Sequence, residues 1–150
     1  KRDCVGLIAF RQDRAETLLP MTRSVELAEK QLRDLPTGGR TPLAEGITHA
    51  LKMLYELENR GSEKTVLVLV TDGRTNAKEG NDSIQRAVRA AEEIARTQAL
   101  SLVLDTECSV PRVGIAPDLA RRMDARYYTL EHLSSEGVLE IVRTSRSIQM

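Results

Sequence analysis

Residues 66–76 read Val-Leu-Val-Leu-Val-Thr-Asp-Gly-Arg-Thr-Asn, and this stretch says most about the architecture of the chain. Five apolar residues, most of them β-branched, run directly into Thr71, Asp72 and Gly73. A run that is apolar on both faces is typical of a central strand in a parallel sheet that helices cover. Ligands of open α/β sheets bind just beyond the carboxyl ends of such strands. We therefore expect Asp72 to lie where a ligand or metal binds, followed by a glycine that lets the backbone turn sharply.

Composition excludes several classes of protein. The chain has 150 residues, so we expect one domain over residues 1–150. With 22 basic and 22 acidic residues, its zero net charge argues against a general binder of nucleic acid or anionic membranes. No apolar stretch approaches the roughly 20 residues that cross a bilayer, and no signal peptide is evident, so we expect a soluble protein of the bacterial cytoplasm or chloroplast stroma. Because the chain starts at Lys1 and enters a predicted strand almost at once, we expect a piece of something longer.

The cysteines and histidines give no sign of catalysis. Cys4 and Cys108 are far apart without CxxC spacing, which fits neither a zinc site nor a disulfide framework. Cys4 lies in an apolar run and is expected to be a small core residue, and both thiols are expected to be buried or inert. His49 falls off the apolar stripe of its helix and is expected at the surface, while His132 precedes a helix start.

Hydrophobic periodicity predicts the order β-β-α-α-β-α-β-α-β-α, an α/β domain with a mostly parallel sheet. The predicted strands are 4–10, 16–21, 65–71, 100–104 and 127–130, and Pro20 places the second at an edge. Ser24 is predicted to cap the first helix. Apolar residues at helical spacing predict the inward faces of the first two helices: Val25, Ala28, Leu32 and Leu35 in the first, and Leu43, Ile47, Ala50, Leu51, Leu54 and Leu57 in the second.

The remaining helices are predicted from their start signals. Thr41 is expected to cap the second helix, with Pro42 at its first position. The third helix is expected to begin at Asn81 or Asp82, and two shorter helices are predicted at 117–124 and 134–142.

Once the known catalytic and nucleotide-binding motifs are excluded, the remaining candidates for a site are oxygen ligands near strand ends and helix starts. Phosphate-loop, dinucleotide and nucleophile-elbow signatures are not found in the sequence. Thr41 and Asp72 are a hydroxyl and a carboxylate, the hard donors that Mg²⁺ prefers. Two simpler interpretations stay open, because Thr41 suits a helix cap and Asp72 suits a turn. At the next strand end, Asp105-Thr106-Glu107 is expected to be solvated and to form a turn.

Two segments carry a resemblance to a known family. Residues 35–43 (Leu-Pro-Thr-Gly-Gly-Arg-Thr-Pro-Leu), followed by Val-Thr-Asp-Gly-Arg-Thr-Asn at 70–76, resemble the von Willebrand factor A (integrin I-like) domain. More narrowly, the chain is similar to the C-terminal domain of the magnesium chelatase D subunit. Residues 2–10, 104–107 and 126–130 extend the resemblance in order along nearly the whole chain. It implies a three-layer, Rossmann-like fold whose mostly parallel sheet has one antiparallel edge strand and helices on both faces.

The resemblance also implies a metal-ion-dependent adhesion site built from three loops. Thr41 matches the second loop and Asp72 the third, whereas the first loop, Asp-x-Ser-x-Ser, and the strand before it have no counterpart here. Without that central strand, two strands are expected to have unpaired edges. With one carboxylate and one hydroxyl, Mg²⁺ binding by this chain is expected to be weak, and restoring the strand and loop is expected to strengthen it.

The function that the resemblance implies is non-catalytic. The domain would bind proteins within magnesium chelatase, whose AAA+ ATPase subunit and large porphyrin-binding subunit insert Mg²⁺ into protoporphyrin IX for chlorophyll or bacteriochlorophyll, with ATP bound elsewhere in the complex. Arg40 and Arg74 flank the site and suit a partner carboxylate, or are simply solvated loop arginines. Open alternatives are a cobalt chelatase component, another AAA+-associated adhesion or chaperone protein, and a small α/β enzyme using Asp72 and Asp105 as acid–base groups.

Overall fold

The computed structural model describes residues 4–12, 14–34, 42–61, 65–75 and 80–130. Its elements follow the predicted order as far as β5: β1 Val5–Arg11, β2 Arg14–Thr22, α1 Val25–Arg33, α2 Leu43–Asn59, β3 Val66–Thr71, α3 Gly80–Ile94, β4 Leu100–Asp105, α4 Ala116–Arg122 and β5 Arg126–Thr129. Leu35, the predicted partner-binding Arg40, the predicted cap Thr41, His132 and the helix predicted at 134–142 lie outside these ranges. Among the helices inside them, none has the length and apolar character to cross a membrane.

The strands form two sheets. β1 and β2 pair antiparallel, with Phe10 opposite Ala15, and β3, β4 and β5 form a parallel sheet in that order. The parallel sheet with its helices and the short antiparallel sheet confirm the predicted α/β fold class. Among the described strands, however, β3 lies at the edge of its sheet and not at the centre as its apolar run indicates. Within the described ranges no strand pairs with the other edge of β3, and β1 pairs with β2 alone. These are the unpaired edges that the resemblance leads us to expect.

The two faces of β3 differ in exposure. Leu69 and Thr71 are buried beneath helices, whereas Val66, Val68 and Val70 are between 38% and 53% exposed. The two crossovers, β3–α3–β4 and β4–α4–β5, step along the sheet in the same direction. Because such connections are right-handed, α3 and α4 lie on the same face. The described helices therefore cover the Leu69 side of this strand.

The hydrophobic core lies between that face and the helices. Leu43, Ile47 and Leu54 of α2 are buried, as their spacing predicts, while Ala50, Leu51 and Leu57 are half-buried. In α3 most of the buried side chains, such as Ala87 and Ala91, are small, with Ile94 as the exception, and small residues allow neighbouring helices to approach closely. α2 starts at Leu43 with Pro42 in the cap position, one residue later than predicted.

α2 connects the two sheets, since it packs on β1 and β2 as well as on α3. It approaches β1 closely, because a Cβ on Gly46 would lie 2.5 Å from the Phe10 ring. His49 Nε2 and Thr17 Oγ1 are 2.8 Å apart, which ties α2 to β2. The expectation that His49 is a surface residue is wrong: it is half-buried and hydrogen-bonded.

The first helix and Cys4, a predicted core residue, depart from prediction. Ser24 caps α1 as expected, accepting a hydrogen bond from the Leu27 amide at 3.2 Å. Of the predicted inward residues that the structure describes, only Ala28 is buried. Val25 is 64% and Leu32 54% exposed, because α1 packs on a described sheet of just two strands. Both cysteines are exposed, since Cys4 precedes the first paired residue of β1 and Cys108 lies in the loop after β4.

Candidate functional site

The ends of the parallel strands bring the candidate residues together. The register places Thr71, Asp105 and Thr129 side by side, each as the last residue of its strand. The loops at 72–75 and 106–115 therefore leave the sheet on the same side, the carboxyl-terminal edge where the parallel strands end. The Thr106 amide donates to the Thr71 carbonyl at 2.9 Å and continues the pairing one residue beyond β4.

The first of these loops turns sharply at Gly73. Its φ is +66°, in the left-handed region that favours glycine, and its amide donates to Thr71 Oγ1 at 3.0 Å. A Cβ at this position would lie 2.5 Å from the Ala116 amide nitrogen. Asp72 is half-buried, and its Oδ1 accepts the Arg74 amide at 3.0 Å. Asp72 thus forms the turn that the simpler interpretation predicts, while its second oxygen takes no part in that turn.

The second loop folds around the carboxylate of Glu107, whose side chain is only 1% exposed. Glu107 accepts hydrogen bonds from the Val113 amide and the Gly114 amide, both at 3.0 Å, and from Ser109 Oγ. The hydrogen bonds from Ser109, Val113 and Gly114 lower the pKa of Glu107 from its ordinary value of 4.5 to about 2, with a further contribution from the charge of Arg74. The expectation that Glu107 is solvated is therefore wrong.

Glu107 also joins the two loops. Arg74 Nε lies 3.8 Å from Glu107 Oε1, which places one of the predicted partner-binding arginines beside a carboxylate of its own chain. The Ile115 amide donates to the Gly73 carbonyl at 2.9 Å. A Cβ on Gly114 would lie 2.4 Å from the Asp72 carbonyl oxygen, so the two backbones are in direct contact. The position of Asp72 consequently depends on the loop that Glu107 holds.

Asp105 is a second buried carboxylate at this edge, with a side chain that is 0% exposed. Its Oδ1 accepts the Glu107 amide at 2.8 Å, so the predicted turn is confirmed. Its Oδ2 accepts from the Tyr127 hydroxyl and from Arg112 Nη1, the latter at 3.3 Å. Burial, together with the hydrogen bond to Asp105, raises the pKa of Tyr127. Asp105 is thus enclosed by its own chain, not solvated as expected.

Sequence reasoning missed these two carboxylates as structural centres. The donors to Asp105 and Glu107 come from an irregular loop and from β5, up to 22 residues further along the chain. The local signal is the acidic residue at the strand end followed by a second one two positions later. That signal alone does not distinguish a buried pair from a solvated turn.

The described residues do not by themselves form a complete metal site. Within the described part of the chain, three or more His, Cys, Asp or Glu side chains do not converge on one point. Asp72 is placed to give one oxygen, whereas the predicted second ligand, Thr41, and the flanking Arg40 lie outside the described ranges. Mg²⁺ prefers six oxygen ligands in near-ideal octahedral geometry, and a single carboxylate meets that demand poorly.

Comparison with known sequences identifies relatives. Residues 1–75 match the von Willebrand factor type A domain. The chain is 37% identical to an uncharacterised protein of Methanocaldococcus jannaschii, over 96% of this chain and 84% of that protein. It is 40% identical to the magnesium-chelatase 60 kDa subunit of Cereibacter sphaeroides (95% of this chain, 26% of the subunit) and 34% identical to the 67 kDa subunit of Chlorobaculum parvum (93% and 24%). The chain thus spans about a quarter of these chelatase subunits.

Solved structures agree on the fold. An aerotolerance-related membrane protein of Bacteroides fragilis superimposes with a TM-score of 0.67 at 17% identity, over 96% of this chain and 79% of that one. The SpRpn10 VWA domain gives a TM-score of 0.60 at 16% identity, over 85% and 64%. At this level of identity the likeness concerns the fold alone.

Replacing Gly73 with alanine tests the turn that carries Asp72. Gly61 is the matched control, because its φ of +73° is also left-handed but nothing lies within 4 Å of a Cβ there. Gly61→Ala is expected to lose about 1–2 kcal/mol of the free energy of unfolding from backbone strain alone. Gly73→Ala is expected to lose about 1–3 kcal/mol more, because its Cβ overlaps the backbone of α4. Urea unfolding measures both variants, and equal losses would contradict the packing described for Gly73.

The lowered pKa of Glu107 predicts a pH dependence of stability. A carboxyl whose pKa falls on folding stabilises the native state fully above its unfolded value of 4.5, and this contribution is lost as the pH falls toward 2. Glu107→Gln is therefore expected to be less stable than the wild type at pH 7, with a difference that shrinks below pH 4.5. Denaturant unfolding from pH 7 to 2.5 measures it, with Glu29→Gln, an exposed residue of α1, as control. A constant difference between wild type and Glu107→Gln across this range would count against the buried carboxylate.

Proposed function

The chain belongs to the von Willebrand factor type A family, and we propose that it is the protein-binding domain of a magnesium-chelatase-type subunit. The observation that carries this proposal is identity of 32–40% to five chelatase subunits, in each case over at least 93% of the chain. Since the match covers only about a quarter of each subunit, the domain supplies one part of a larger activity. That activity is the ATP-dependent insertion of Mg²⁺ into protoporphyrin IX, in chlorophyll or bacteriochlorophyll synthesis.

Binding, not catalysis, suits the chemistry of this edge of the sheet. The enzyme alternative needs Asp105 as an acid–base group, yet both of its oxygens accept hydrogen bonds within the chain and its side chain is wholly buried. Glu107 is likewise enclosed by three donors. A general base must reach the proton that it abstracts, and neither carboxylate is placed to do so.

In the proposed contact, Asp72 and Thr41 hold Mg²⁺ weakly through oxygen ligands, and a partner's Asp or Glu completes the coordination. A bound Mg²⁺ would supply a fixed positive charge with open positions for that carboxylate. Asp72 suits this role because only its Oδ1 is used by the turn. The two partners proposed for this surface are the AAA+ ATPase subunit and the large porphyrin-binding subunit of the chelatase.

Arg74 and Arg40 are proposed to flank the contact. The Arg74 side chain is 56% exposed although it lies near Glu107, so one side of its guanidinium faces water. A guanidinium presents several N–H donors in a planar fork, which suits a carboxylate that approaches from that side. Its position beside the turn at Asp72 is fixed by the loop after β4.

A second candidate is a related adhesion domain outside chelatase. The relative in Methanocaldococcus jannaschii is covered over 84% of its own length, so there the domain makes up most of the protein. Such a domain would belong to a cobalt chelatase component, or to another adhesion or chaperone protein that acts with an AAA+ ATPase. Binding assays against each candidate ATPase distinguish the two functions.

Asp72→Asn tests the proposed metal contact in the full-length protein. Removing the charge is expected to weaken Mg²⁺-dependent binding to the AAA+ chelatase subunit at least about tenfold, since the neutral amide oxygen of asparagine is a much weaker Mg²⁺ ligand than a carboxylate. The matched control is Asp124→Asn, an exposed residue with a φ of +51° that asparagine tolerates. Surface plasmon resonance with Mg²⁺ and with EDTA measures the effect. An affinity that is unchanged both by EDTA and by Asp72→Asn would contradict the metal contact.

A further inference from the structure

The loop after β4 places apolar side chains in water at the edge of the sheet that carries Asp72. Val110 is 95% and Val113 70% exposed, the two highest values among the large apolar side chains of the described residues. Pro111 between them is exposed as well. We call Val110, Pro111 and Val113 the valine tip. A flexible loop would turn such side chains inward, so their exposure needs a cause.

The cause is a set of hydrogen bonds from this loop to two buried carboxylates. The Val113 and Gly114 amides and Ser109 Oγ all donate to the buried carboxylate of Glu107. Arg112, between Pro111 and Val113, directs its guanidinium to Asp105 at 3.3 Å. With these groups fixed on the inner side, the valine tip is held outward. A surface fixed in this way loses little conformational entropy when a partner covers it.

The valine tip is continuous with the cationic part of the same edge. Glu107 Oε1 accepts the Val113 amide at 3.0 Å and lies 3.8 Å from Arg74 Nε, so an apolar residue and a guanidinium flank one oxygen. Gly114, next to Val113, contacts the backbone of Asp72. An apolar surface beside an exposed cation matches a ligand that carries an apolar group beside an anion.

We propose that the valine tip and Arg74 together form a docking surface for a partner segment that carries an apolar side chain close to a carboxylate. The inference rests on the proposed function, because it shares the edge of the sheet at Asp72, and it names the partner chemistry which that function leaves open. The carboxylate lies at Arg74 and the proposed cation, and the apolar side chain covers Val110 and Val113. Charge complementarity at Arg74 favours this acidic, apolar occupant over a second copy of the chain.

Synthetic peptides with a single Glu and a single Leu test the proposal. The probes are labelled 12-residue peptides of Gly, Ser and Asn that place Leu one to four residues from Glu, with matched peptides carrying Gln for Glu or Ser for Leu. Fluorescence anisotropy with the full-length protein in Mg²⁺ measures affinity. The Glu–Leu peptide of the best spacing is expected to bind at least tenfold more tightly than either matched peptide.

The protein variants separate the valine tip from the rest of the surface. Val110→Ser combined with Val113→Ser is expected to weaken the Glu–Leu peptide about 10- to 100-fold and to leave the Glu–Ser peptide unchanged. The matched control is Val25→Ser, which alters an exposed valine of α1 away from this edge. Circular dichroism of each variant checks that the fold is retained.

Three outcomes would overturn the proposal: no binding by any Glu–Leu peptide, equal binding by Glu–Leu and Glu–Ser peptides, or no effect of the double serine variant. Self-association of the wild type that the double variant abolishes, measured by sedimentation velocity, would also overturn it in favour of a second copy. Failure of the proposed metal contact is distinguishable from these. In that case the affinity for Glu–Leu peptides depends on Val110 and Val113 but is unchanged by EDTA or by Asp72→Asn.

Discussion

A buried negative charge, the carboxylate of Glu107, determines how the edge of the sheet is arranged. A carboxylate is stable away from water only when hydrogen bonds and nearby positive charge replace its hydration. Ser109, Val113 and Gly114 provide the donors, and Arg74 provides the charge. Meeting this demand bends the loop after β4 back against the loop after β3. The turn at Gly73, and with it Asp72, is then held by contact with Gly114 and Ile115.

The second constraint is the division of the strands into two sheets. α2 packs against Phe10 at Gly46 on one side, and on the other it joins α3 and the parallel sheet in the alanine-rich core. The edges of β1 and β3 are unpaired within the described residues, and the valines of β3 remain partly exposed. Asp72, Asp105 and Glu107 all lie at the carboxyl-terminal edge of the parallel sheet, where its strands end. The geometry of the candidate site thus rests on β3, β4 and the loops that follow them.

Prediction from sequence succeeds here where the signal is local. The apolar runs locate β3 and β4, Ser24 caps α1, and Gly73 turns the chain beyond Asp72. It fails where the partner is distant. Asp105 is buried together with Tyr127, 22 residues further along the chain, whose hydroxyl donates a hydrogen bond to it. His49 is half-buried and forms a hydrogen bond with Thr17, which lies 32 residues before it. α1 is the converse case, since its apolar spacing is correct for a helix but little of the described structure packs on Val25 and Leu32.

The valine tip illustrates why burial and function are hard to separate in a single sequence. Val110 and Val113 are apolar yet largely exposed, in an irregular loop whose backbone is fixed at Val113 by the hydrogen bond to Glu107. Such an arrangement has the rigidity that protein-binding surfaces use, and it adjoins the residue proposed to hold the cation.

Amide hydrogen exchange tests most directly whether Glu107 holds this edge together. The account predicts slow exchange at the Val113 and Gly114 amides of the wild type and fast exchange at both in Glu107→Ala. The Thr106 amide, bonded to the Thr71 carbonyl, is predicted to stay protected in both proteins. Exchange at Val113 and Gly114 as fast as that of an unstructured loop in the wild type, or unchanged protection in Glu107→Ala, would contradict the account.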